Sequence, residues 1–95
     1  MFFVYILYSV ALNRYYVGQS SNVVKRVTEH LAGHARFTCA AKDWELVFVQ
    51  CVPGRRDAVL LERHIKKAKS RKTIERFVAD PRNQIAEWKS LRHGV

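Results

Sequence analysis

The chain lacks the marks of a secreted or membrane-spanning protein. It has two cysteines in 95 residues, Cys39 and Cys51, at a spacing that fits neither a CxxC pair nor a zinc ribbon. That excludes a disulfide scaffold and suits a reducing compartment. No run approaches the roughly 18 apolar residues needed to cross a bilayer. The apolar stretch from Met1 to Leu12 has no preceding Lys or Arg, and no small-residue cleavage site follows it. The expectation is a cytoplasmic protein without a membrane partner. There are no internal repeats and no low-complexity segment, and the length leaves no room for a Rossmann domain or a barrel.

Acidic residues are also scarce. Eight Asp and Glu face seventeen Lys and Arg, a net charge of +9. The imbalance sits in the second half, where residues 51–95 carry twelve basic against five acidic side chains. Such a field attracts polyanions, whether DNA, RNA or an acidic membrane surface, and does not choose among them. With 48% hydrophobic residues the chain is too apolar to be a disordered basic tail.

What is present reads as one small α+β domain. Phe2–Ser9 is aromatic and β-branched, and Tyr15–Gly18 resumes that signal after a turn at 11–14. The turn has no Gly, which favours a longer loop over a tight primed turn. Ser20, Ser21 and Asn22 are N-cap candidates for a helix that uses Val23 or Val24, Val27 and Leu31, with Gly33 as its stop. Residues 34–43 read as a loop and Trp44–Cys51 as a third strand, ended by Pro53-Gly54. Asp57 is placed as the cap of a helix to Lys69, with Ala58, Leu61, Ile65 and Ala68 on its buried face. Ser70 caps a shorter helix with Ile74, Phe77 and Val78, and Asp80-Pro81 breaks it. Residues 83–92 form a last amphipathic segment with Ile85, Trp88 and Leu91 every third position. The order is β-β-α-β-α-α-α, a small three-stranded, mainly antiparallel sheet flanked by helices. Residues 1–80 make the main unit and 81–95 a helical extension packed on it.

Several polar residues stand where packing does not demand them. Tyr5 and Tyr16 lie in strands whose antiparallel pairing puts both rings on one face, although ordinary strand tyrosines give the same pattern. Arg26 and His30 share a helix face, a pairing suited to phosphate binding and proton handling, or simply a solvated surface. Glu62 borders the apolar stripe inside the densest basic stretch. It either holds one Mg²⁺ against a phosphate or pairs with Lys66 one turn on. Seven Lys and Arg lie between Arg63 and Arg76, among them Lys66, Lys67, Lys69, Arg71 and Lys72. We read that run as a phosphate-contacting surface. His30, His34 and Cys39 do not make a zinc site, because Gly33 ends the helix between the two histidines and no fourth ligand stands out.

Together these residues resemble a GIY-YIG nuclease domain of the short, single-domain kind, related to the endonuclease domain of the nucleotide-excision-repair incision subunit. The first signature is Val4-Tyr5-Ile6 in FVYILYS. The second is Tyr16-Val17-Gly18 in YYVGQSSNVVKR, with Val17 for the usual Ile. Arg26, His30 and the Glu62 helix, ERHIKKAKSRK, follow in order, and the likeness spans residues 2–78. It implies metal-dependent hydrolysis of a DNA phosphodiester, with Mg²⁺ or Mn²⁺ held by Glu62. Tyr5 and Tyr16 would line the scissile phosphate, with Tyr5 helping to activate water. Arg26 would stabilise phosphate charge, and His30 would assist proton transfer or bond a tyrosine. Gly18 would allow a close approach by its neighbour or by the nucleic acid. DNA repair or recombination is the implied setting, with DNA as the partner; RNA in its place and a protein partner for targeting stay open. The family's usual extra Asn has Asn83 as its nearest downstream candidate, and Arg36, Thr38 and Lys42 are candidates from the loop. The alternative is a binding module, or a subunit needing a partner, that keeps the fold without the chemistry.

Overall fold

The first two strands, β1 (Phe2–Ser9) and β2 (Arg14–Ser20), form an antiparallel hairpin. Its four-residue loop closes without glycine because Asn13 takes the left-handed backbone position at φ 51°, which Asn tolerates better than most residues. The computed structural model describes residues 1–32, 41–68 and 70–88. The helix α1 (Val23–Leu31) follows, with Asn22 as its N-cap, the Asn22 Oδ1 accepting the Lys25 N–H at 3.1 Å. Then come β3 (Glu45–Val52), α2 (Arg55–Lys67), α3 (Arg71–Ala79) and a 3-10 helix, Gln84–Trp88. The strand order is β2-β1-β3, antiparallel throughout. Among the described residues no helix is long and apolar enough to cross a membrane.

The sheet has a core on each face. Tyr5, Leu7, Leu46 and Val49 pack against Val23 and Val27 of α1 and against Trp44. Val4, Ile6, Val17 and Phe48 pack against Ala58 and Ile65 of α2, with Phe77 of α3 edge-on to Phe48. Strict alternation cannot put both Leu46 and Val49 on one face. A register shift between Ile6 and Leu7 lets it happen: Ile6 faces Phe48 while Leu7 faces Leu46, so Val47 is the extra residue of a bulge.

Three details differ from the sequence reading. Asp57 does not cap α2; the helix starts at Arg55 directly after Gly54, whose extended backbone takes the N-cap position, and Asp57 lies in the first turn, where its charge suits the helix dipole. Ala68 is exposed, because the buried stripe ends at Ile65. The last segment is a five-residue 3-10 helix rather than an α-helix. The repeat of three between Ile85 and Trp88 fits three residues per turn. Trp88 meets Phe3 edge-on, with ring centroids 5.6 Å apart. Gly33 and Leu91 lie outside the described residues.

Polar side chains pin the loops. Ser9 is fully buried and donates to Asp43 Oδ1 at 2.6 Å, while the Ala11 N–H donates to Asp43 Oδ2 at 2.8 Å. The Ser9 bond, then the Ala11 bond, holds the Asp43 carboxyl below its ordinary range. Asn83 does more. Its Oδ1 accepts the N–H groups of Val49 at 3.2 Å and Ile85 at 3.0 Å, and its Nδ2 donates to the carbonyls of Val47 and Val78, each at 2.9 Å. Beside it, Gln84 Oε1 accepts the Cys51 N–H at 2.7 Å. Asn83 therefore clamps the bulge and joins β3 to the end of α3. Asn83→Ala is expected to lower stability by about 2–4 kcal/mol, because several half-buried backbone groups lose their partners at once. Urea unfolding followed by circular dichroism reads this directly, and a loss below about 0.5 kcal/mol would refute the clamp.

Candidate active site

Strand pairing builds the first part of the site. Tyr5 faces Gly18 across the hairpin and Leu7 faces Tyr16, so Tyr5 and Tyr16 are diagonal neighbours on the α1 face. Their ring centroids are 6.4 Å apart. From α1, fully buried His30 enters between them, its ring centroid 5.9 Å from Tyr5 and 4.8 Å from Tyr16. The Tyr5 hydroxyl and His30 Nε2 share a hydrogen bond of 2.9 Å. One turn earlier on the same helix, Arg26 Nη1 donates to Glu29 Oε1 at 3.0 Å, and its charge reaches Tyr5.

Gly18 explains why the tyrosines fit. A Cβ there would lie 2.6 Å from the Tyr5 hydroxyl oxygen and 2.7 Å from Tyr5 Cζ, and 3.1 Å from a Tyr16 ring carbon. The Tyr5 ring occupies the space that any side chain would need. Because Tyr5 is buried in mid-strand, it has no room to swing away. Gly18→Ala is expected to cost about 1–3 kcal/mol through this overlap and to shift the Tyr5 and His30 signals in an NMR spectrum. Unchanged stability and unchanged His30 shifts would refute it.

Burial and charge set the protonation states. Burial, and then the nearby Tyr16, push the Tyr5 phenol well above its ordinary range; Arg26 opposes this and Glu62 adds to it. Burial, and then the Arg26 charge, lower His30 from 6.5 to about 4, with Glu29 opposing. At neutral pH the pair is thus a neutral phenol and a neutral imidazole. The Glu29 bond holds Arg26 above its ordinary value.

Glu62 comes from α2, which packs on the opposite sheet face, and what ties it to Tyr5 is its charge. Its Oε2 accepts from Lys66 Nζ at 2.6 Å, with the carboxylate side chain 21% exposed and the lysine 52% exposed. Val59, Glu62, Arg63, Lys66 and Lys67 line one concavity. A second groove runs along β2, lined by Arg14, Tyr16, Trp44 and Lys66 among others. The structure therefore brings Tyr5, Tyr16, Arg26 and His30 together, while Glu62 stands on α2 beside Lys66.

The basic run divides. Lys66, Lys67 and Lys72 are exposed, while Lys69 lies outside the described residues. Arg71 is engaged within the fold. Its guanidinium bonds the Asn13 carbonyl at 3.2 Å and the Asn13 side chain, and lies 5.4 Å from the Tyr15 ring centroid. Asn83 is occupied by its clamp. Lys42 is exposed, and Arg36, Thr38, His34 and Cys39 lie outside the described residues. Among the described residues no cluster of three His, Cys, Asp or Glu suited to a metal occurs. Sequence reading passed over Glu29, although its spacing of three from Arg26 was the available signal.

Residues 1–75 match the family model of the GIY-YIG catalytic domain, a stretch holding all five of these side chains. A UPF0213 protein of Bacillus licheniformis is 31% identical over 78 residues, covering 81% of this chain and 79% of that protein. No solved structure matches the chain.

Proposed function

The chain belongs to the GIY-YIG catalytic-domain family, and we propose that it is a divalent-metal-dependent endonuclease that hydrolyses DNA phosphodiester bonds. The observation that carries this reading is the buried Tyr5–His30 hydrogen bond, set beside Tyr16 and under the charge of Arg26. A binding surface needs no such pair, whereas a phenol held in one direction by an imidazole suits water activation. In this reading neutral His30 accepts the Tyr5 proton in a hydrogen bond and fixes the phenol's direction. Tyr5 orients the attacking water and takes its proton once nearby cations, Arg26 among them, favour the phenolate and the phenol's own proton has passed to solvent. Arg26, held by Glu29, stabilises charge on the phosphate oxygens. Tyr16 and the exposed Lys67 and Lys72 guide the strand through backbone contacts, which carry little sequence preference.

The donor set fits a hard cation such as Mg²⁺ or Mn²⁺. Glu62 offers one carboxylate at a partly exposed rim, and Mg²⁺ is commonly held by one or two carboxylates with water and phosphate filling its other positions. Bound there, the cation would polarise a phosphate oxygen and neutralise developing charge.

A second reading, a nucleic-acid-binding module without cleavage, is favoured by the Glu62–Lys66 pair, which also suits a plain helix surface. One experiment separates the two. Labelled single-stranded, duplex and branched DNA are incubated with Mg²⁺, Mn²⁺ or EDTA, with Glu62→Ala alongside and binding measured across salt. Cleavage that EDTA and Glu62→Ala abolish, while binding survives, is expected. Salt-sensitive binding with no cleavage of any substrate would overturn the nuclease reading in favour of the module.

A further inference from the structure

The Lys66 ammonium occupies the Glu62 carboxylate at 2.6 Å, and Lys66 also lines the groove along β2 that holds Tyr16. We infer that Lys66 is a two-position cation: it neutralises Glu62 in the free protein, and it moves into the β2 groove to bind a nucleic-acid phosphate when a divalent cation takes the carboxylate. The inference rests on the reading of Glu62 as the cation's ligand.

Three observations support it. Lys66 borders both concavities, whereas Arg63 and Lys67 border only that of Glu62. Its side chain is 52% exposed, so its flexible stem is not packed in one place. An exposed ion pair one helical turn apart is weak, so a divalent cation displaces it at small cost. The exchange has a defined charge balance. One positive charge leaves Glu62 as two arrive, and the released ammonium adds one phosphate contact. Cation and nucleic acid therefore strengthen each other's binding, reciprocally.

The test reads binding rather than turnover. Mn²⁺ affinity is measured by calorimetry for the full chain, Lys66→Met and Glu62→Gln. Binding of a labelled oligo-dT strand is measured across salt with and without Ca²⁺, the strand being checked as intact. Lys66→Met is expected to bind Mn²⁺ about twofold more tightly, the weight of a single helical ion pair. Ca²⁺ is expected to steepen the salt slope of the unmodified protein by about 0.7 more than that of Lys66→Met, the weight of the lysine's one extra phosphate contact on a single strand. In Lys66→Met only the cation's own phosphate contact adds to the slope. A slope that Ca²⁺ leaves unchanged in the unmodified protein, or steepens equally in Lys66→Met, overturns the inference while leaving the function intact. Mn²⁺ binding that survives in Glu62→Gln overturns the assignment of Glu62 and this inference with it.

Discussion

Tyr5→Phe is expected to lower the cleavage rate by about 10²- to 10⁴-fold, the range spanned by loss of a positioned general base. The substitution removes a single oxygen from a ring that fills the space above Gly18, so the packing of β1 stays. It also removes the hydrogen bond to His30 Nε2, at a cost of about 1–3 kcal/mol for the buried nitrogen left behind. Cleavage should thus collapse while the chain remains folded, which circular dichroism at the assay temperature verifies. The pH profile adds an independent readout. Burial holds the free phenol above its ordinary range, so cleavage by the unmodified protein should climb with pH through at least pH 9 without a plateau. A fully active Tyr5→Phe variant, or a rate independent of pH, would remove Tyr5 from the chemistry.

The second large effect concerns stability. His30 is buried and lowered to about 4 from 6.5. Between those two values the unfolded chain takes up a proton that the folded chain refuses. Stability therefore falls as pH drops from 6.5 towards 4, by up to about 3 kcal/mol from this group alone. Asp43 and Asp80, both lowered, act in a separate and more acidic window; the first is held by Ser9 and the second by Arg82. Urea midpoints taken at intervals from pH 7.5 to 4.5 give the slope, and His30→Gln should flatten it while lowering stability at neutral pH. An unchanged slope in that variant would show that His30 is not the group being protonated.

Much of this molecule is legible in its residues, for identifiable reasons. The order of strands and helices follows from period and punctuation, because Pro53-Gly54 and Asp80-Pro81 stop elements where local geometry alone suffices. The shared face of Arg26 and His30 follows from helical spacing, and that of Tyr5 and Tyr16 from hairpin pairing. The Val47 bulge is not legible, because alternation from Trp44 to Cys51 carries no trace of where the register slips. The Asn83 clamp is equally silent, since its partners are backbone groups as distant in sequence as Val47. The close fit of Gly18 against Tyr5 could be anticipated as a close approach, but only the register names the ring that fills the space. Which cation Glu62 faces in the free protein was open on spacing alone, and the structure assigns it to Lys66.

The amides of Asn83 and Gln84 have a consequence beyond local stability. Lying along the outer side of β3, they bond backbone groups of Val47, Val49 and Cys51 much as a neighbouring strand would. The sheet thus carries a stand-in fourth strand made of side chains. Among the described residues no strand pairs with the outer side of β2. A sheet open on two sides can add chains without end, whereas one open on a single side is complete once two molecules have met. Two residues near the end of the fold thereby close one side of the sheet to the addition of a strand.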